Sequence, residues 1–152
     1  MVDISVLRRK NFSAGEFLYS ETACEKNIKN EITDVITLIN LSRTADKIQE
    51  IRMLLGLPIK INSGYRCLEL NRAVGSKDTS QHLLGQAADF VCPKFGEPLL
   101  IARYLKSKGV TVDQLLMEGN WIHVSIKESG KNRNQFKCYL PDINGDRILT
   151  NL

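Results

Sequence analysis

Two histidines occur in the whole chain, and both stand beside residues that make them candidate metal ligands. His82 lies in Ser80-Gln81-His82-Leu83-Leu84-Gly85, just ahead of Asp89, and His123 lies inside Trp121-Ile122-His123-Val124-Ser125-Ile126. Asp89 interrupts the apolar run Ala87-Ala88-Asp89-Phe90-Val91. A carboxylate there costs on the order of several kcal/mol unless it is hydrogen-bonded, ion-paired or bound to a metal. Two neutral imidazoles and one carboxylate form a sufficient set for catalytic zinc, which commonly takes three protein ligands and keeps a fourth position open. Spacing alone leaves the alternative open that the histidines are structural and that Asp89 caps a turn.

Positioning these residues requires regular elements around them. Ser13 and Glu16 have the S-x-x-E spacing of a capping box, so a short helix is expected to start at Ser13, with Phe12 as its staple. Between Glu31 and Leu55, Ile32, Val35, Ile36 and Ile39, then Leu41, Ala45, Ile48, Ile51 and Leu55, recur at three and four residues. That spacing predicts one long amphipathic helix, with a bend near Ser42, ended by Gly56 and Pro58. Pro58–Ser63 alternates as a strand, Cys67–Val74 fits a short helix, and Gln86–Val91 fits a strand with Ala87, Asp89 and Val91 on one face.

Pro98–Lys108 predicts a further helix. Val112–Met117 and Trp121–Ile126 predict a hairpin turning at Glu118-Gly119-Asn120, with Trp121, His123 and Ser125 on the face away from the core. Gln135–Leu140 and Arg147–Leu149, around Asn144-Gly145, suggest another hairpin.

Composition limits the alternatives. At 152 residues, with 43% hydrophobic and 25% charged residues, the chain fits one soluble globular domain, 1–152, without repeats, low-complexity tracts or linkers. The net charge of +4 favours approach to an anionic polymer. The basic residues are scattered, however, and no aromatic ladder interleaves them, which argues against nucleic acid as partner. Nothing calls for membrane insertion. Met1–Lys10 ends in Arg8-Arg9-Lys10 without an apolar core, so no Sec-type signal is expected there. Cys24, Cys67, Cys92 and Cys138 form no C-x-x-C pair and are expected to be reduced, mostly buried thiols.

Ser63-Gly64-Tyr65-Arg66, Glu69-Leu70-Asn71, Ala73-Val74-Gly75 and Ser80-Gln81-His82-Leu83-Leu84-Gly85-Gln86-Ala87-Ala88-Asp89 together resemble the zinc D-alanyl-D-alanine peptidases. That family includes cell-wall carboxypeptidases, vancomycin-resistance dipeptidases and phage endolysins. Ser80, His82, Gly85, Ala87 and Asp89 fill every fixed position of its S-x-H-x-x-G-x-A-x-D signature. Asp113-Gln114-Leu115-Leu116 and Trp121-Ile122-His123-Val124-Ser125 resemble its closing strands, so the likeness runs from about residue 11 to about residue 135.

The resemblance implies an α+β, hedgehog/D-Ala-D-Ala-peptidase-like fold, with helices on a small, mainly antiparallel sheet. It also implies one zinc ion per chain on His82, Asp89 and His123. Arg66 matches the family arginine that binds substrate and polarises the scissile carbonyl or holds a terminal carboxylate, and its planar guanidinium suits either task. Ser80 and Gln114 are expected to hydrogen-bond near metal or substrate, and Trp121 to wall the cleft or enter the core. Some branches place a glutamate general base three residues before the last histidine ligand; here that residue is Asn120, which cannot take a proton. Glu118 is the candidate base, with Asp113 behind it.

The expected activity is hydrolysis of amides in peptidoglycan stem peptides or cross-bridges by a monomeric enzyme of endolysin type. Such an enzyme is made in the bacterial cytoplasm and reaches the wall after holin-dependent release. The rival readings are a catalytically retired peptidoglycan-binding module, suggested by Asn120, and a phage tail-associated component.

Overall fold

A computed structural model describes residues 1–128 and 130–152. Its centre is a six-stranded sheet formed by β1 (Lys60–Ser63), β2 (Ala87–Val91), β3 (Gln114–Glu118), β4 (Trp121–Ser125), β5 (Gln135–Pro141) and β6 (Arg147–Asn151). The spatial order is β1-β2-β4-β3-β5-β6. All neighbours are antiparallel except β3 and β5, which run parallel with Gln114 opposite Gln135 and Met117 opposite Cys138. With four α-helices among the described residues, the fold is α+β, as the sequence led us to expect.

The helices are α1 (Glu21–Glu25), α2 (Val35–Leu55), α3 (Leu68–Ala73) and α4 (Pro98–Ser107). Helix α2 begins at Asp34, whose carboxylate accepts the Thr37 N–H at 2.8 Å, rather than at Glu31, and it runs without interruption past Ser42. It ends on Gly56, whose φ of 66° supplies the left-handed cap. Leu38, Leu41, Ala45, Ile48, Ile51 and Leu55 form its buried stripe. Val35, Ile36 and Ile39, expected on that stripe, are exposed because the 100° step per residue carries them around the helix from it. Ile32 is buried but precedes the helix.

Ser13 and Glu16 meet as expected: the Glu16 carboxylate accepts from the Ser13 N–H at 2.7 Å and from its hydroxyl at 3.0 Å. The turn they start is a 3-10 helix, Ala14–Phe17, and Phe12 packs edge-on against Phe17.

Alternation along the strands sorts the sheet into two faces. Ala88, Phe90, Leu115, Ile122 and Val124 join the α2 stripe and Ile101, Ala102 and Leu105 of α4 in one core. The other face carries Asp89, Glu118, Trp121 and His123, which line a cleft bounded also by Arg66 and the turn that holds His82. Glu118 is paired with Trp121 as the last residue of β3, so the turn is Gly119-Asn120 alone, one residue shorter than expected. Of the cysteines, Cys92 and Cys138 are buried, but Cys67 is half-buried and Cys24 exposed, fewer buried thiols than the sequence suggested. Cys24 lies in α1, a short surface helix that buries Ala23 instead. Among the described residues no helix is long and apolar enough to cross a membrane.

Candidate metal centre

The centre is assembled from one tight turn and two neighbouring strands. Asp89 on β2 lies directly opposite His123 on β4, so pairing in the middle of the sheet fixes both side chains on the cleft face. His82 comes from the 3-10 turn Gln81–Leu84, which Ser80 opens by accepting the His82 N–H at 3.3 Å. Gly85 closes that turn with φ at 70°, and a Cβ there would stand 2.6 Å from the Thr37 carbonyl oxygen of α2. Only glycine allows the turn to press against the helix and still deliver the chain into β2.

His82 is buried, and its two ring nitrogens have separate tasks. Nδ1 lies 2.6 Å from the Gly64 carbonyl oxygen, an acceptor only, so Nδ1 carries the proton and Nε2 keeps its lone pair. Nε2 points at Asp89, 3.3 Å from Oδ1. Such a hydrogen bond on the far nitrogen is the usual means of orienting a metal-binding imidazole. His123 Nδ1 approaches the same Oδ1 at 2.8 Å. The three residues each offer a ligand atom, all within 4.8 Å of one another. In a tetrahedral site with bonds of about 2.0–2.1 Å, neighbouring ligand atoms stand about 3.4 Å apart. The donor types and spacing therefore fit a zinc-like cation.

Electrostatics agree with that fit. Burial opposes ionisation of Asp89, but positive charge at the facing nitrogens of His82 and His123 outweighs it and holds the carboxyl well below the ordinary carboxylate range, so the arrangement favours a cation between those nitrogens and Asp89. Burial also pushes His82 down, towards the neutral form a metal requires.

Around the ligands, one cleft wall contains Arg66, Ser80, Glu118 and Trp121 together with Val74, Gly75, Ser76 and Arg147. Arg66, two residues beyond Gly64, is largely buried. Its Nε donates to Asn71 Oδ1 at 3.1 Å and its Nη1 to Ser63 Oγ at 3.2 Å. Burial lowers its pKa, while Asp89 and Glu118 act in the opposite sense. Gln114 is placed further along the cleft, beside Ser80 and His123, with its amide donating to Gln135 Oε1 at 2.9 Å. Of the residues expected at the site, Arg66, Ser80, His82, Asp89, Glu118, Trp121 and His123 share one cavity wall, and Gln114 adjoins it.

Asp113, the reserve candidate for a base, is elsewhere. It is fully buried, and Arg133 grips it with Nε at 2.9 Å and Nη2 at 2.6 Å while Gln81 donates at 3.0 Å. So occupied, Asp113 lines neither the cavity of the ligands nor the adjoining stretch of the cleft.

Two supporting asparagines had no role in the sequence reading. Asn71 is fully buried, takes the Arg66 bond and donates to the Lys77 carbonyl at 2.9 Å. Asn30 donates to the carbonyls of Leu18 and Tyr65 and accepts the Cys67 N–H, each at 2.8 Å, thereby clamping both sides of Arg66. A sequence signal existed for Asn71, which stands within the family-like segment five residues after Arg66. Asn30, in an irregular stretch, offered none. Arg147 was expected only as part of a tail hairpin.

A sequence model of the family described as Peptidase M15 matches residues 10–125, more than half of the chain. No curated protein matches.

Proposed function

The chain belongs to the peptidase M15 family, and on that footing we infer that it is a zinc-dependent peptidase hydrolysing amide bonds in the peptide part of bacterial peptidoglycan. The observation that carries this reading is the convergence of His82 Nε2, Asp89 and His123 Nδ1 within 4.8 Å, with Arg66 and Glu118 on the same cleft wall. Zinc in such a site supplies Lewis acidity, which makes water acidic near neutral pH and polarises a carbonyl.

The chain's own residues account for the rest of the chemistry. Glu118, paired with Trp121 at the end of β3 and lining the cleft, takes the proton of the attacking water in this reading. Arg66, held by Asn71 and Ser63, presents a preorganised guanidinium to the charge that develops on the scissile carbonyl oxygen. Ser80 organises the His82 turn and borders the substrate path, which Gln114 extends and Trp121 walls. Asn120 lies in the two-residue turn next to Glu118, so Glu118 takes the role that a glutamate at that position has in other branches.

The continuous core supports treating 1–152 as a single D-Ala-D-Ala-peptidase-like domain. We assign it to an endolysin-type monomer acting on stem peptides after holin-dependent release. The test is digestion of purified peptidoglycan by the zinc-loaded protein, with fragments identified by mass spectrometry. New amine and carboxyl ends in stem peptides or cross-bridges are expected, and the bond identifies a carboxypeptidase or an endopeptidase. Binding to peptidoglycan without cleavage, at full zinc occupancy, would favour the retired binding module instead.

A further inference from the structure

The terminal hairpin β5–β6 lies beyond the residues that match the family, yet it extends the metal-bearing face of the sheet. Because β5 runs parallel to β3 with Gln114 opposite Gln135, the alternation of β3 continues into the hairpin. Gln135, Lys137 and Tyr139 therefore share the face of Gln114 and Glu118. Tyr139 pairs with Leu149 and Pro141 with Arg147, so Arg147 is on that face too, diagonal to Tyr139.

The two residues meet: the Arg147 guanidinium carbon stands 4.8 Å from the centre of the Tyr139 ring. Arg147 lines the cavity that holds Arg66, His82, Asp89 and His123, and Tyr139 lines the adjoining stretch with Gln114 and His123. The stacked pair thus spans the point where the two parts of the cleft join.

Exposure and hydrogen bonding distinguish this arginine from Arg66. Arg66 is sunk in the wall, with Asn71 and Ser63 engaging its nitrogens. Arg147 is exposed, and among the described residues no carboxylate stands within ion-pairing distance of it. An aromatic face that restrains a guanidinium while leaving its N–H edge free suits it to bidentate recognition of a carboxylate.

We propose that Arg147, oriented by Tyr139, is a specificity-determining residue that binds a free carboxylate of the peptide substrate while Arg66 serves the scissile carbonyl. The proposal rests on the peptidase reading above. The carboxylate can be that of the peptide's C-terminus or one carried along its length, and both have the same chemistry at Arg147.

The probe is a synthetic stem peptide with uncleavable ketomethylene linkages, prepared with all carboxylates free, with only the C-terminus amidated, or with only the internal carboxylates amidated. Each form is titrated calorimetrically into the zinc-loaded full chain. The wild type should bind the free form about tenfold more tightly than one amidated form, and that form identifies the carboxylate. Arg147→Ala should reduce the preference to near unity, Arg147→Lys should retain part of it, and Tyr139→Leu should weaken it, all with zinc content unchanged. On cleavable peptides Arg147→Ala should raise KM with kcat nearly constant. An equal preference in Arg147→Ala and wild type overturns the proposal alone, as does wild-type binding that ignores amidation. Wild type that neither binds nor cleaves any form overturns the peptidase reading along with it.

Discussion

The imidazole Nδ1 of His82 donates to the carbonyl oxygen of Gly64 over 2.6 Å, and this bond between a turn and the residue following β1 determines which nitrogen faces Asp89. Gly64 can hold that carbonyl in place because it has no side chain: a Cβ would lie 2.3 Å from the Phe17 carbonyl oxygen. Gly64→Ala should therefore shift the carbonyl, weaken the orientation of His82 and lower zinc affinity by about ten- to a hundredfold. Competition with a chromogenic chelator measures it. Unchanged affinity in a folded variant would remove Gly64 from the site.

The purified chain should hold about one zinc, as three protein ligands of fixed geometry require. His82→Ala, Asp89→Ala and His123→Ala should each lose metal and activity together. Elemental analysis before and after dialysis against zinc is the check. Full zinc occupancy in any of the three would exclude that residue as a ligand.

Glu118→Gln keeps the shape of the β3 terminus and removes the base, so turnover of muropeptides should fall by about two to four orders of magnitude with zinc retained. Arg66→Ala should likewise keep zinc and cost about a hundredfold in turnover, the usual loss for one oxyanion-stabilising group. Paired metal and rate measurements separate these effects. An Arg66 variant that loses zinc would mark the residue as structural, and a fully active Glu118→Gln would require a base from outside this cleft wall.

Asp113 supplies a pH dependence of stability unconnected with the metal. Burial opposes its ionisation, but the side chain and backbone N–H of Arg133 and the amide of Gln81 prevail and lower its pKa to about 2. A depressed carboxyl pKa contributes stability that is complete above the unfolded value, near 4, and is lost as pH falls towards 2. The contribution is on the order of 2 kcal/mol. Asp113→Asn should reduce denaturant stability by about that amount at neutral pH and flatten the acid limb of the stability profile. Equal acid sensitivity in the variant would assign that limb to other carboxylates.

The parts of the site that were legible in the sequence were local. The turn carrying His82, the apolar run broken by Asp89 and the alternation around His123 each depend on a few adjacent residues, and strand periodicity was enough to put His123 on the face away from the core, while Asp89 was only grouped with Ala87 and Val91 on one face. What escaped was set by distant pairing. Asp113 stands one residue before β3, where alternation no longer fixes direction, and it is buried because the parallel β3–β5 register returns Arg133 to it across 20 residues. That register, continued by the antiparallel pairing of β5 with β6, brings Arg147 into the cleft, although the sequence of the hairpin showed only two short strands and a turn. In α2, periodicity identified the helix but included Val35, Ile36 and Ile39, since spacings of three and four can be traced along more than one flank.

The strand order places the metal ligands Asp89 and His123 on β2 and β4, each bonded to neighbours on both sides, while β1 and β6 form the outer margins. Central strands open only with the whole fold, whereas margins fray at far lower free energy. Amide hydrogen exchange should accordingly be slowest around the ligands and fastest along β6. Arg66 follows the strand at one margin but is clamped there by Asn30, whereas Arg147 begins the strand at the other, so of the two cations Arg147 stands on the cleft's more yielding side. The metal would stay fixed while that edge of the sheet adjusts to the peptide.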